Sequence, residues 1–545
     1  MKKYIYNIKK FIFIQVICYG VVTLSTASIP YIQKLFFDSI TKEGKEYSLI
    51  ILILAYAVCK VLESIFLYID NIYVWKGALE FETSLKKDFF RSIFNYNFEK
   101  FSKKDIGEYI SIQGNDITEL EQDYLEPLID IIKSINMIII YGIILFICVD
   151  FRIAIVIFLG SIATILVPRF TWKILSEKRN EYLEEMSLYV STIKDFLQGF
   201  KVIQRKTRKN INMEHEKVLN KTKNKRFIYG KLKSLTMMIE DFSMNILSIV
   251  TFVITGILLF KGEITVGTGV ATLGYVNCFI SPINSIMYDI NSVSSLKKVK
   301  EKVISYINAR GEEKPIFKKK FNDKIEFNNV SFTYKDFSLK NICCSFEKGK
   351  KYAIVGHSGS GKSTLINILM SYIKAKDGNV TIDGENLNLI DTSNIIYCIN
   401  QNEHIFIEDF INNATVFNSY SKDKTNEVIS NFDVKMIDSI KSKNNCQLLS
   451  GGEKQMLGMI RMLTADTEIF IMDEPFSAVD LKNSKKLQDF LFNLKGKTVI
   501  MVTHKLSNNL NEFDEVILME NGEIIKKGTY KEINETEEFK KFQNC

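Results

Sequence analysis

The chain has 545 residues, 46% of them hydrophobic, and a formal net charge of +8. Its length provides for several domains at ~150 residues each. Much of the positive surplus sits in lysine clusters at 201–225 and 314–324, which favours a membrane protein with basic cytoplasmic segments over a nucleic-acid platform.

The N-terminus carries Lys2, Lys3, Lys9 and Lys10, then an uncharged stretch over 11–33. A cleaved signal core is only ~7–15 residues long, so the stretch predicts a retained transmembrane helix. A crossing helix needs ~20 mainly apolar residues. Six such spans are predicted, near 11–33, 48–69, 128–149, 151–172, 242–260 and 266–290. The third and fourth are almost continuous, with Asp150 and Arg152 marking a tight hairpin. Lysine bias places the N-terminus and the segments 71–127 and 173–241 in the cytoplasm, and the loops 34–47, 150–152 and 261–265 outside. Both cytoplasmic segments are too long for simple loops and read as helices extending below the bilayer. Gly107, Gly114 and Gly199 are expected bends, and 114–119 and 194–199 expected docking elements. Lys60 and Glu63 share one helical face inside the second span, as either a self-compensating pair or a pathway element. Asn277 and Asp289 in the last span are weaker pathway candidates, and Pro282 predicts a kink there.

The stretch 308–324, with Gly311, Pro315 and a lysine run, reads as a linker between a membrane domain (1–307) and a soluble α/β domain (325–545). Alternating strands follow at 325–327 and 330–334. Next come a buried strand at 351–355 and the segment Gly356-His357-Ser358-Gly359-Ser360-Gly361-Lys362-Ser363-Thr364. The spacing G-x-x-x-x-G-K-[ST] between a strand and a helix is a phosphate-binding loop. Its backbone N–H groups and the helix N-terminus point at a phosphate chain, Lys362 reaches the β- and γ-phosphates, and Ser363 ligates Mg²⁺. Leu449-Ser450-Gly451-Gly452-Glu453-Lys454-Gln455 opens a further helix and forms a second potential anion-binding N-terminus. The strand Ile469-Phe470-Ile471-Met472 ends in Asp473 and Glu474. Asp473 is placed to hold Mg²⁺ and Glu474 to polarise a water. Nine cysteines form no C-x-x-C pair and have few histidines near them; they read as free thiols, not a zinc site.

This order of motifs resembles the ATP-binding cassette, or ABC, family. Leu449-Ser450-Gly451-Gly452-Glu453 is similar to its signature, Gln401 to its Q-loop glutamine, Ser477-Ala478-Val479-Asp480 to its D-loop and His504 to its switch histidine. Tyr334 matches the aromatic that stacks on adenine. Six spans followed by one cassette resemble an exporter-type half-transporter, and 107–119 and 194–202 match the stretches around the family's coupling helices. The resemblance covers almost the whole chain. It implies ATP and Mg²⁺ as cofactors, with Ser363, Gln401 and Asp473 around the metal. Glu474 is then the general base, and Lys362 and His504 contact phosphate. Ser450, Gly451, Gly452 and Glu453 serve the nucleotide of a second half-transporter. A homodimer is favoured because Glu474 and His504 are both retained; a heterodimer stays open. The implied function is ATP-driven export of an amphipathic peptide, lipid or drug-like compound across the cytoplasmic membrane. An importer on the same fold and an ATP-gated regulator are the alternatives. The chain departs from the family pattern in Glu453, where glutamine is commoner, in the helix after it, and in the segment 443–446, which lacks the acidic-glycine loop of exporters.

Overall fold

The computed structural model describes residues 1–41, 47–166, 168–309, 316–334, 337–401, 403–432, 434–476, 481–503 and 510–544. The chain divides into two compact units: Met1–Phe94 with Asp105–Ala309, and Asn95–Lys104 with residues 310–545.

The first unit is helical. Its main elements are α1 (Lys9–Thr41), α2 (Leu49–Ile93), α3 (Glu126–Cys148), α4 (Phe151–Leu166), α5 (Pro168–Gln198), α6 (Arg208–Phe260), α7 (Val266–Ser295) and α8 (Lys297–Ile307). Among the described residues, five helices are long and apolar enough to cross a membrane. The expected span near 151–172 corresponds to α4, a shorter apolar helix, and residue 167 lies outside the described residues. On α2, Ile50, Ile51, Leu54 and Val58 are exposed. In lipid such a face is satisfied, because every backbone group is bonded within the helix. The hairpin at 150–152 forms as expected: Arg152 pairs with Asp150 at 3.0 Å and also with Glu263 in the loop before α7. Two loops assigned to the outer side are thereby joined.

The Lys60–Glu63 pair closes on itself at 2.9 Å, with Lys60 half exposed, which is the self-compensating arrangement. A second pair is more deeply set. Lys133 on α3 meets Asp70 on α2 at 2.8 Å, with the two side chains 5% and 3% exposed. The Tyr19 ring lies 5.0 Å from the same ammonium. Asp289 is buried and accepts from Ser285 at 2.9 Å. Pro282 lies inside α7.

The break between α2 and α3 lies earlier than the glycines suggested. α2 ends at Ile93, and two short helices follow, Phe98–Ser102 and Ile106–Ser111. Their N-caps are Asn97, which accepts from the Lys100 amide, and Asp105, which accepts from the Gly107 amide. These short polar side chains satisfy backbone donors that a new helix leaves open, and so they set the starts. Gly107 therefore sits inside a first turn. Gly114 lies in a π-helical turn, Ile112–Asp116, that carries the helix on toward α3. The segment that belongs to the second unit is Asn95–Lys104, where Phe98 packs on Tyr372 with ring centroids 4.6 Å apart. Gly199 does stand at a break, directly after α5.

The second unit is built on strands β1 (Lys324–Thr333), β2 (Ser338–Glu347), β3 (Lys351–Val355), β4 (Asp377–Ile382), β5 (Ile396–Ile399), β6 (Ile469–Asp473), β7 (Thr498–Thr503), β8 (Glu515–Glu520) and β9 (Glu523–Gly528). A six-stranded sheet runs β9-β8-β3-β7-β6-β5, parallel except for the edge strand β9. An antiparallel sheet holds β2, β1 and β4. Parallel strands are covered on both faces and read as unbroken apolar runs, because successive side chains point to opposite sides. Thus Ala353, Val355, Met472 and Met501 enter one core, and Tyr352, Ile354, Ile471 and Val502 the other. Helices α9 (Lys362–Leu369), α10 (Phe410–Thr415) and α11 (Gly451–Ala465) supply much of the cover. Within 308–324, Ile316–Phe317 is a strand paired in parallel with Ile390–Asp391, Phe321 is fully buried, and Lys318 bonds Asp383 at 3.2 Å and Glu385 at 2.8 Å; residues 310–315 lie outside the described residues. The lysines that gave this stretch a linker's look are in part paired with carboxylates.

Candidate functional site

The register of the large sheet assembles the site. Val355 lies beside Thr503, Val502 beside Asp473, and Met472 beside Ile399. Four parallel strands thus end along one edge, and the loops after β3, β5 and β6 leave from it. Binding sites of open parallel sheets form at such an edge, because the loops diverge there and leave a crevice.

The loop after β3 is 356–361. Gly361, at φ 106°, caps α9 in the left-handed region. A Cβ there would lie 2.6 Å from Leu339 Cδ2 and 2.9 Å from Phe337 Cζ, so both the backbone turn and the close packing require glycine. His357, Ser358 and Gly359 are exposed, whereas Gly356, Ser360, Gly361 and Lys362 are buried. The Lys362 ammonium folds back over the loop, donating to the Gly356 and His357 carbonyls at 2.8 and 2.7 Å and to Ser360 Oγ at 3.4 Å. Burial pulls this ammonium below the ordinary lysine range, while Glu474 and Asp473 nearby pull it up.

Ser363 and Thr364 occupy the first turn of α9, and Ser363 Oγ donates to Asp473 Oδ2 at 3.1 Å. Burial pushes the Asp473 carboxyl up, opposed by the Ser363 bond and by Lys362, with Glu474 adding to the rise. Glu474 follows in the left-handed region at φ 52°, its N–H donating to the Val502 carbonyl at 3.0 Å. A non-glycine residue held in this region is a marker of local strain. Its carboxylate accepts from Gln401 Nε2 at 2.8 Å, joining the loop after β5 to the end of β6. Serine hydroxyl, aspartate carboxylate and glutamine amide make a hard oxygen donor set that fits Mg²⁺, which takes few protein ligands when phosphates supply the rest. No cluster of three His, Cys, Asp or Glu suited to a metal occurs among the described residues.

Tyr334 lies after β1, half exposed, with its N–H donating to the Phe337 carbonyl at 2.7 Å and its ring against Phe332 at 4.7 Å. Phe337 in turn fills the space beside Gly361.

Ser450 is the exposed N-cap of α11, followed by Gly451, Gly452 and Glu453 in its first turn. Glu453 closes a capping box: its carboxylate accepts from the Ser450 N–H at 2.9 Å and from Ser450 Oγ at 2.8 Å, and the other oxygen accepts from Ser439 at 2.7 Å. The bond from the Ser450 backbone, with those of Ser439 and Ser450, holds the carboxyl below the usual range. Glutamic acid in place of glutamine thus still caps the helix, but adds a negative charge beside Ser450. His504 and 477–480 lie outside the described residues.

Two polar ties of this unit have no signal in the sequence. Glu403 and Arg461 form a buried pair at 3.0 Å, 58 positions apart in the chain. Asn413, fully buried, donates to the carbonyls of Phe406, Glu408 and Asp409 at 3.0–3.2 Å.

Two family models match the chain. Residues 339–477 match the model described as ABC transporter, and residues 12–283 the model described as ABC transporter transmembrane region. The chain is 24% identical to YgaD of Bacillus subtilis, named as a candidate multidrug-export ATP-binding/permease protein, over 98% of this chain and 97% of that one. A Staphylococcus aureus protein of the same description is 27% identical over 79% of this chain and 78% of its own. The ATP-dependent lipid A-core flippase of Salmonella paratyphi A is 34% identical, over 38% of each chain. The solved structure of a bacterial Atm1-family ABC exporter with ATP bound superposes with a TM-score of 0.85 at 16% identity, over 99% of this chain and 98% of that one. Its fold is therefore shared from end to end.

Proposed function

The chain belongs to the ABC transporter family as an exporter-type half-transporter, and on that premise we propose that two copies hydrolyse ATP between them to carry an amphipathic compound out of the cytoplasm. It is a multi-pass membrane protein with its nucleotide-binding domain in the cytoplasm. The proposed division is a membrane domain to about residue 307 and a nucleotide-binding domain from about 325.

The observation that carries the reading is the pair of contacts at the sheet edge, Ser363 to Asp473 and Gln401 to Glu474. When bound, Mg·ATP would supply the γ-phosphoryl group and the charge that neutralises its transfer. The amides of 356–364 and the Lys362 ammonium bind the phosphates, and Tyr334 stacks on the base. Ser363, Asp473 and Gln401 would hold the metal. Glu474, within hydrogen-bond reach of Gln401, accepts the proton of the attacking water, and His504 contacts the γ-phosphate. Ser450 and Gly451 are exposed at the head of α11, so this turn, with Gly452 and Glu453, would meet the nucleotide of a second copy. Stabilisation by fixed charges around a loose transition state accounts for most of the rate.

For the cargo, the relatives named for multidrug export support a compound with apolar and polar parts. The flippase match is too short to add to this. Inside-out membrane vesicles bearing the chain are expected to accumulate a fluorescent amphipathic cation or peptide when given Mg·ATP. Accumulation only in right-side-out vesicles with internal ATP would instead favour import, and nucleotide-dependent shape change without accumulation in either would favour a regulator.

A further inference from the structure

Glu403 lies two positions beyond Gln401 and has a side chain only 9% exposed. One carboxylate oxygen accepts from Arg461 at 3.0 Å, and the other from the Asn400 backbone N–H at 3.4 Å. Arg461 belongs to α11, the helix that Ser450 caps. Its guanidinium is spent on the segment after Gln401: Nε donates to the Asn413 carbonyl at 2.8 Å, one terminal nitrogen to the His404 carbonyl at 3.0 Å, and the other to Asn413 Oδ1 at 3.2 Å. Gly458, one turn before Arg461, faces the same carboxylate. A Cβ there would lie 2.8 Å from Glu403 Cγ. Glycine at 458 is what lets the glutamate reach the arginine.

We propose that Glu403 is a positioning residue for ATP hydrolysis. Bonded to the Asn400 backbone and to Arg461 at once, it locks the Gln401 loop to α11. A buried, fully bonded charge pair is costly to open, so its two elements move as one. A displacement of Ser450 at the head of α11 is then delivered through Arg461 and Glu403 to Gln401, and through its amide to the Glu474 carboxylate. The proposal rests on the reading of Glu474 as the base.

The test is steady-state ATPase of the full-length chain in detergent or nanodiscs. Glu403→Ala is expected to lower kcat about tenfold with KM for ATP changed by less than about twofold, because Lys362 and the loop 356–361 are untouched. Glu403→Gln, which keeps an oxygen toward Arg461, restores kcat to within about threefold of the parent chain. Gly458→Ala lowers kcat in the parent chain and adds nothing in the Glu403→Ala background, since the clash and the tie share one partner. Unchanged kcat in Glu403→Ala, a loss that Glu403→Gln fails to restore, or equal harm from Gly458→Ala in both backgrounds would each overturn the proposal. A parent chain with no ATPase would overturn the reading of the site itself, which keeps the two failures apart.

Discussion

Glu474→Gln is expected to slow steady-state ATP turnover by about 10²–10⁴-fold while Mg·ATP affinity stays within about threefold. The substitution is isosteric. The amide oxygen still accepts from Gln401 Nε2, which stands 2.8 Å away. The backbone at 474 is held at φ 52° with its N–H on the Val502 carbonyl, a conformation no worse for glutamine than for glutamate. Lys362 and the loop 356–361 are not altered, so phosphate binding persists. What is lost is the carboxylate proposed to take a proton from water. Turnover in the variant within threefold or so of the parent would remove Glu474 from the chemistry, and equilibrium nucleotide binding would show whether the pocket survived.

The second large effect concerns folding. Lys133→Ala is expected to destabilise the membrane domain by about 3–5 kcal/mol, because it strands a carboxylate in a medium that solvates it poorly. Asp70 is 3% exposed at its side chain, and its other oxygen, Oδ1, has no hydrogen-bond partner among the described residues. Removing Lys133 therefore takes away the cation that Asp70 pairs with. Joint replacement, Lys133→Met with Asp70→Leu, removes both charges and is expected to recover most of the loss, since a buried pair and an apolar pair of similar volume differ little. The midpoint of thermal unfolding in detergent reads both. A single variant that melts with the parent would show the pair to be solvated.

What the sequence could and could not disclose follows from where each contact lies along the chain. The phosphate loop was legible because its chemistry is backbone chemistry, confined to nine consecutive residues with glycines at positions that need them. Asp473 and Glu474 were legible because a buried strand that ends in acids is a local pattern. The Lys60–Glu63 pair was legible for the same reason, being three residues apart on one helix. Asp70–Lys133 and Glu403–Arg461 join residues 63 and 58 positions apart. No periodicity brings such pairs together; only the packing of helices and the order of strands does. The break after α2 was misplaced for a different reason. Glycine was weighed as the breaker, whereas Asn97 and Asp105 set the helix starts by accepting backbone N–H bonds, and helical glycine costs only about 1 kcal/mol. The lysine run at 314–324 was read by composition, which does not register that Lys318 finds Asp383 and Glu385 or that Phe321 is buried.

The central claim is that the phosphate loop of one copy faces Ser450 of another. It is tested most directly by mixing two preparations, one carrying Ser358→Cys and one carrying Ser450→Cys, each with the nine native cysteines replaced. Both positions are exposed, at the loop and at the head of α11. The prediction is a disulfide-linked band of twice the chain mass on non-reducing gels after mild oxidation. It should be strengthened by Mg·ATP and absent when either preparation is oxidised alone. Failure of the mixture to cross-link with Mg·ATP, in protein that still binds the nucleotide, would contradict a shared site.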